Sequence, residues 1–406
     1  MENRVPKIQI ISIGFLIVGN LIGAGILALP INTGLAGFLP SLLGLLVTSA
    51  AMYYSSLILS REAVDRKEPT FNYPSLYRNY LGKGGEWVAV VANLIILYGL
   101  LTAYLTGITS IIGNLFSLSV PPVYLMLGFF VVVSAISMAD IGKIQKYIAV
   151  LVAVKCAAFV FIVFMAGGHI KSQNLSHVSW PLFTCGIPIL VTAFHFHNII
   201  PAVCETLRWD RKLIARTMLL GMALGFLMNA TWLMVGIGVL PLDNSPVGLV
   251  TAYTKNLPAT IPLAKIIGSE TFLVITMFFA MIAITTAYLA NGMGLIGFMD
   301  DLTSHHLKKN SPLLSRALAF GPPLIIALVY PDIFLKAIDF AGGFGIVTLF
   351  GILPGIIALR KASSRREKSL AVAMLLLFGA FFLLETAQEM GMLKISPDTE
   401  YWQVKR

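Results

Sequence analysis

Charge is what this sequence has least of. Charged side chains make up 12% of its 406 residues, whereas hydrophobic residues make up 57%. A soluble domain carries roughly 25% charged residues, so this chain has too little charge to cover a surface that faces water. No polar stretch is long enough to form a domain of its own. The composition therefore excludes an ordinary globular protein and predicts that lipid covers most of the surface.

Cysteine and histidine are also scarce, with 3 and 6 residues. The cysteines all fall within apolar stretches, so no disulfide framework is expected. The paired-histidine and paired-acid signatures of membrane enzymes are missing, and so is a filter-like loop typical of channels. A membrane enzyme or a channel is therefore the less favoured alternative, and we expect no catalytic residues, no metal and no cofactor.

Long apolar runs are what the sequence has in abundance. A helix needs roughly 20 apolar residues to cross the hydrocarbon core of a bilayer. Eleven such stretches occur, without the two-residue alternation of barrel strands. They lie at 9–34, 38–60, 88–114, 122–139, 146–167, 181–206, 213–239, 271–299, 312–330, 332–359 and 369–389. The sequence predicts an all-α integral membrane protein with one transmembrane domain over 1–406.

The net charge of +10 indicates orientation rather than a nucleic-acid partner. If the N-terminus is cytoplasmic, 21 of the 29 Lys and Arg residues fall on the cytoplasmic side and 7 on the other, with Lys155 inside a span. Such an excess is the positive-inside pattern of membrane proteins. Eleven spans then place the C-terminus on the opposite side. We expect the lipid bilayer as a partner and no nucleic acid.

Two spans contain helix-breaking residues near their middle. The first reads GNLIGAGILALP from Gly19 to Pro30, and the sixth reads TAFHFHNIIP from Thr192 to Pro201. Glycine weakens a helix and proline removes a backbone donor. Interrupted backbone survives at membrane depth only where it lines a cavity inside the protein. The alternative for Gly19 and Gly23 is close packing of two helices through a GxxxG pair.

The two breaks are five spans apart, so two five-span halves would have opposite orientations. Unwound segments at matching positions of inverted halves indicate the midplane binding site of a transporter. This spacing predicts a first five-helix repeat at 9–167, a second, inverted repeat at 181–359 and an additional helix at 369–389.

The GNLIGAGILALP segment resembles the first helix of the amino acid/polyamine/organocation transporters. The segments FHFHNIIP and ITTAYLANGMGLIGFMDDL are similar to those of the hydroxy/aromatic amino acid permeases, the bacterial tyrosine and tryptophan permeases. The resemblance covers nearly the whole chain. It implies the five-plus-five inverted repeat of sodium-coupled leucine transporters. It also implies a bacterial inner (cytoplasmic) membrane location, with the N-terminus cytoplasmic and the C-terminus periplasmic.

The same resemblance implies import of a free aromatic amino acid by alternating access. A permease for small hydroxy amino acids such as serine or threonine is the alternative. An amino acid needs donors for its carboxylate and acceptors for its ammonium group. After the first break, the half-helix starting at Ile22, Gly23, Ala24 and Gly25 would offer N–H groups to the carboxylate. Asn20 beside the break is either a ligand or a cap for this half-helix.

Side chains of the third, sixth and eighth spans would complete the site. In extended backbone, residues two apart share a face, so either His195 and His197 or Phe194 and Phe196 would face the cavity. The histidines are hydrogen-bonding or packed residues, and the phenylalanines suit stacking on an aromatic substrate. Carbonyls of the same segment would bind the ammonium. The predicted substrate-binding set also contains Tyr98, Thr102, Asn198, Tyr288 and Asn291.

Lys155 lies near the middle of the fifth span, where an ionisable side chain is a functional candidate. Snorkelling is the alternative, but it works best near helix ends. A buried amine can take up and release a proton because desolvation disfavours its charged form. By resemblance, this lysine would replace the sodium ion of sodium-coupled relatives, facing Thr285 and Thr286. We therefore expect a proton as the coupling partner, with sodium coupling as the alternative.

Overall fold

The computed structural model describes residues 6–23, 25–67, 72–116, 120–138, 141–306 and 311–393, and within these ranges it contains helices and no β-strand. Nine helices of this described part are long and apolar enough to cross a membrane. The bent pair that opens the chain is a tenth candidate, and Pro122–Ser137 is a shorter apolar helix. The prediction of an all-α, multi-pass membrane protein is confirmed.

The first part of the chain forms six helices. They are α1 (Lys7–Leu21), α2 (Gly25–Gly34), α3 (Phe38–Arg66), α4 (Tyr73–Phe116), α5 (Pro122–Ser137) and α6 (Ile141–Gly167). Helix α4 is longer than the predicted span 88–114 because a preceding helical segment joins it. At the junction, Gly82 has non-helical backbone angles with φ 70°, a left-handed conformation that glycine adopts without a steric penalty.

The second part contains shorter and more interrupted helices. They are α7 (Ser172–Leu175), α8 (Ile187–Thr192), α9 (Ile200–Thr206), α10 (Arg211–Val239), α11 (Leu249–Thr254), α12 (Thr260–Ile267), α13 (Glu270–His306), α14 (Pro312–Val329), α15 (Phe334–Phe340), α16 (Leu353–Lys361) and α17 (Arg365–Glu389). Between α15 and α16 the chain continues as a wide π-helix over Ala341–Ile352. The sequence pattern did not predict this segment.

The first and sixth spans are both interrupted. Helices α1 and α2 meet at an angle of 51° after Leu21. Residues 193–196 separate α8 from a 3₁₀ turn at His197–Ile199, which leads into α9. Beyond the first break, α2 is buried from Ile26 to Gly34.

Prolines within the spans leave backbone carbonyls without their helical donors, and side chains of other helices replace those donors. Pro30 cannot donate to the carbonyl of Ile26, which accepts from Trp232 Nε1 at 2.7 Å. Pro201 cannot donate to the carbonyl of His197, which accepts from the Tyr73 hydroxyl. These bonds attach the two interrupted spans to their neighbours α10 and α4.

The same replacement occurs at two other prolines. The carbonyl of Leu318, four residues before Pro322, accepts from the Tyr98 hydroxyl at 2.7 Å. Near Pro354, the carbonyl of Leu349 accepts from the Tyr77 hydroxyl at 2.7 Å. The next carbonyl along the chain, that of Phe350, accepts from the hydroxyl of Ser55. Neighbouring side chains thus satisfy the carbonyls that proline frees at membrane depth.

A further bond holds α2 at its far end. The buried Asn32 amide donates to both carboxylate oxygens of Asp339 on α15, at 2.9 and 2.8 Å. The loop before α12 also contacts α2, because the N–H of Ala259 donates to the carbonyl of Leu27 at 2.8 Å. Together these bonds hold α2 against α15 and against the loop before α12.

The proline arrangement makes a prediction about stability. Replacing Tyr98 with Phe should destabilise the protein by about 1–2 kcal/mol, because the Leu318 carbonyl loses its donor. In a Pro322→Ala background, the new N–H can restore the helical bond, so the same replacement should cost much less. Thermal unfolding in detergent measures both effects. Tyr330→Phe, at a largely exposed tyrosine, is the control, and an equal cost of Tyr98→Phe in both backgrounds would contradict the explanation.

Candidate functional site

A small cavity lies between the two interrupted spans. Its wall combines small residues and glycines of the first break with polar side chains of the second break and of α13. Its lining includes Gly19, Asn20, Gly23, Gly25, Tyr104, Val152, Thr192, His195, Asn198, Thr286, Ala287, Ala290 and Asn291.

A second, larger cavity, part of it open to solvent, adjoins the first. The two share His195, Asn198, Ala290 and Asn291. The second continues along α13 to Asp301, fifteen residues and about 22 Å of helix beyond Thr286. At that end the Asn72 amide donates to the Asp301 carboxylate at 2.9 Å. The site between the breaks therefore connects to the end of the molecule where Asp301 lies.

The backbone at the breaks offers both donors and acceptors. Helix α2 begins at Gly25, so its first N–H groups have no partner within the helix. Of these, the N–H of Ile26 donates to the carbonyl of Gly23 at 3.3 Å. In the sixth span, the carbonyls of Ala193, Phe194 and His195 accept no hydrogen bond from the described part of the chain. Free N–H groups suit a carboxylate and free carbonyls suit an ammonium group. Of the predicted backbone donors, Ala24 lies outside the described residues.

Lys155 on α6 is fully buried and reaches the end of α1. Its ammonium donates to the carbonyl of Ile22 at 2.6 Å, to that of Gly19 at 3.1 Å and to Thr286 Oγ1 at 3.4 Å. An ammonium has three hydrogens to donate, and three acceptors surround this one. The carbonyls at a helix C-terminus lack intrahelical donors and carry the negative end of the dipole. The end of α1 is therefore a cation site that Lys155 occupies.

The surroundings of Lys155 contain hydroxyl and carbonyl oxygens rather than a carboxylate. No Asp or Glu of the described ranges forms an ion pair with it. The Thr286 hydroxyl bonds to the Ile282 carbonyl at 2.8 Å, which leaves its oxygen to accept from the lysine. Thr285 is half-buried and is not among the three hydrogen-bond partners of Lys155 in the described part of the chain. Ile22, which we expected to offer its N–H, instead contributes its carbonyl.

His195 is the aromatic residue of the second break that reaches both cavities. Its ring lies parallel to that of His197 at 6.3 Å and tilted against Phe350 at 5.2 Å. His197, Phe194 and Phe196 are fully buried and line neither cavity. The break is not an extended strand with one uniform face, so the expected grouping into two histidines or two phenylalanines does not occur.

Three amide side chains also border the cavities. Asn291 is buried, and its amide nitrogen donates to Tyr104 Oη at 3.2 Å and to the Ala287 carbonyl at 2.9 Å. Asn198 is exposed to both cavities. Asn20 lines the first cavity, and its amide donates back to the Leu16 carbonyl at 3.2 Å. That bond lies within α1, and no hydrogen bond joins the Asn20 side chain to the described residues of α2.

Three further residues of the predicted set, on the third and eighth spans, also lie away from both cavities. Tyr98 and Thr102 face α14, where they donate to the carbonyls of Leu318 and Pro323. Tyr288 is buried against α5, and its hydroxyl shares a hydrogen bond of 2.7 Å with Ser134. The four-residue spacing correctly places Tyr98 and Thr102 on one face of α4, but that face is not the one that borders the cavity.

The structure adds residues that the predicted set lacked. On α4, Asn93, Leu97, Leu100 and Tyr104 border the two cavities. They are spaced by three or four residues, which places them on a single helix face. Thr192, Ala287 and Ala290 also line the site. The helical spacing was visible in the sequence, but it could not show which face of α4 meets the breaks.

These features define a class of protein. Two interrupted spans with a cavity between them are the arrangement that secondary transporters use for their midplane site. The apolar helices around this site make the chain a multi-pass membrane protein.

Comparison with known proteins identifies the family. Residues 7–384 match the tryptophan/tyrosine permease family. A tyrosine-specific transport system of Haemophilus influenzae is 29% identical over 332 residues, which is 80% of this chain and 82% of the relative. A tryptophan-specific transport protein of Shigella flexneri is 24% identical, covering 86% of each chain. A glutamine transporter of Aliivibrio fischeri is 24% identical, covering 90% of this chain and 96% of the relative.

The chain belongs to the tryptophan/tyrosine permease family. It is therefore a transport protein rather than an enzyme, and the family predicted from the sequence is confirmed.

The connected cavities predict a pattern of chemical access. In a background without the three native cysteines, Ala290→Cys should react with a membrane-impermeant thiol reagent added from the Asp301 side, because Ala290 lines both cavities. Ala283→Cys should not react, because Ala283 is fully buried on the same helix. Labelling of inside-out and right-side-out vesicles measures this. Faster labelling of Ala290→Cys from the opposite side would contradict the direction of opening.

Proposed function

We propose that this protein imports an aromatic amino acid of the tyrosine/tryptophan type, together with a proton, across the bacterial inner membrane. Family membership and the names of two relatives support the substrate class. The observation that carries the coupling is the buried Lys155 ammonium at the C-terminal end of α1. The free amino acid and the proton are its two transported partners, and the lipid bilayer surrounds it.

The proposed architecture is eleven spans in a five-plus-five inverted repeat with one extra helix. Nine candidate spans, the bent pair α1–α2 and the short helix α5 lie at the eleven predicted positions, which supports this count. The interruptions in the first and sixth spans support the inverted repeat, since they fall at matching positions of the two halves. We assign the repeats to 9–167 and 181–359 and the extra helix to 369–389.

The proposed substrate site is the cavity between the breaks. The N–H groups at the start of α2, near Gly23 and Gly25, would bind the carboxylate, and the free carbonyls of 193–195 would bind the ammonium. Asn20, His195, Asn198 and Asn291 border the same space. We assign them as the polar contacts of the substrate.

In the proposed coupling, Lys155 exchanges the transported proton. When charged, it satisfies the carbonyls of Gly19 and Ile22. The neutral amine has one hydrogen fewer and presents a lone pair, so it holds the end of α1 less well. Protonation thus stabilises the geometry of the first break, and that break also forms the substrate site. A sodium ion is the less favoured alternative because the lysine occupies the carbonyl-lined position that a cation would take.

We further propose that the structure is open to the cytoplasm. The positive-inside pattern places the loops near Asp301 on the cytoplasmic side, with the N-terminus cytoplasmic and the C-terminus periplasmic. The large cavity reaches that end. The Asn32–Asp339 contact closes the opposite side of the first break. Alternating access would require this contact to open while the inner vestibule closes.

Uptake by the purified protein in liposomes tests the function. Radiolabelled tyrosine should accumulate under an inward proton gradient, and unlabelled tryptophan or phenylalanine should compete, though less strongly than unlabelled tyrosine. Unlabelled serine, threonine and glutamine are tested as competitors in the same assay, because each is an alternative substrate. Competition by serine or threonine alone would replace the proposed substrate, and accumulation driven only by sodium would overturn the proposed coupling.

The role of Lys155 gives a separate prediction. Lys155→Ala should reduce tyrosine accumulation to the level reached without a proton gradient, because no group remains to carry the proton. Exchange of internal for external tyrosine should persist, since it needs no net proton movement. Lys265→Ala, at an exposed lysine on α12, is the control. Uphill uptake that survives in Lys155→Ala would refute the coupling role, whereas loss of exchange as well would indicate loss of the substrate site.

A further inference from the structure

Two buried side chains of the cavity wall carry polar atoms without any partner in the described structure. His195 is 8% exposed and Asn291 is 7% exposed. His195 Nε2 and Asn291 Oδ1 make no hydrogen bond. Buried polar atoms are almost always satisfied in native proteins. Two such atoms on residues that line the same cavity indicate a ligand that supplies the missing partners.

The orientation of both side chains is fixed by their other contacts. The Asn291 amide nitrogen uses Tyr104 Oη and the Ala287 carbonyl. Since the Ala287 carbonyl can only accept, the nitrogen must face it, and the oxygen is left free. The His195 ring is held against Phe350 and parallel to His197. Asn291 Oδ1 is therefore preorganised, and the plane of the His195 ring is fixed.

The chemistry of these atoms selects the ligand group. An amide oxygen only accepts, so Asn291 Oδ1 needs a donor. The imidazole Nε2 can donate in one neutral tautomer. A hydroxyl group satisfies both at once, because it donates one hydrogen and accepts another. A phenyl ring satisfies neither, and it would leave both atoms buried without partners.

We propose that His195 and Asn291 form hydrogen bonds with the side-chain hydroxyl of the substrate and so select tyrosine over phenylalanine. This inference rests on the proposed function, since it assigns one end of the same cavity. The breaks bind the amino and carboxylate groups common to all amino acids. Discrimination therefore falls to the two side chains whose hydrogen bonds remain unused.

The experiment compares tyrosine and phenylalanine uptake by the wild type and by four variants. His195→Phe and Asn291→Leu should each lower the tyrosine/phenylalanine ratio of kcat/KM at least about tenfold, mainly through tyrosine. His195→Gln should restore part of the preference, because it keeps a polar end. Asn229→Leu is the matched control, since Asn229 is also buried with an unpartnered Oδ1 but lines neither cavity.

An analogue series on the wild type gives a test that does not depend on folding of the variants. O-methyltyrosine keeps the oxygen but cannot donate, so it should compete for tyrosine uptake at least about tenfold less well than tyrosine. Equal competition by tyrosine, O-methyltyrosine and phenylalanine would overturn the inference while leaving aromatic transport intact. An equal loss for tyrosine and phenylalanine in Asn291→Leu would assign that residue to the ammonium group instead. Absence of any amino acid uptake by the wild type would refute the proposed function itself.

Discussion

The structure depends on one constraint, which is that backbone polar groups at membrane depth must find partners inside the protein. Interrupting a helix frees such groups, and each interruption described above has a specific remedy. Trp232 and Tyr73 replace the donors that Pro30 and Pro201 lack. Lys155 does the same for the last carbonyls of α1. The carbonyls of residues 193–195 accept no hydrogen bond from the described part of the chain, and a ligand could complete them.

This constraint also explains how far the sequence could predict the molecule. Glycine, proline and apolar run length act locally, so the helical class and the positions of both interruptions could be read directly. The burial of Lys155 followed from its place in the middle of an apolar span. By contrast, the π-helix between α15 and α16 carries no local signal. Its wide turns depend on packing against other helices, for example through the hydroxyls of Tyr77 and Ser55.

The same difference between local and long-range effects explains which site residues could be predicted. Spacing shows which residues share a helix face, but it does not show which neighbour that face meets. Tyr98 was expected at the substrate, and it lies instead beside Leu318, whose carbonyl Pro322 leaves free. This carbonyl is available to Tyr98 because of Pro322, which lies more than two hundred residues away in sequence. Only the folded structure brings the two together, and the same holds for the contact between Tyr288 and Ser134.

Proton binding and substrate binding, the two halves of the proposed mechanism, both depend on one short segment of backbone. The carbonyls of Gly19 and Ile22 bind Lys155, and the N–H groups a few residues later, at the start of α2, are the proposed carboxylate ligands. These are opposite ends of two half-helices, so one end attracts a cation and the other an anion. A proton on Lys155 and an amino acid in the cavity would then favour the same geometry of the break. Such a shared preference makes the coupling reciprocal, since each ligand must strengthen the binding of the other by an equal factor.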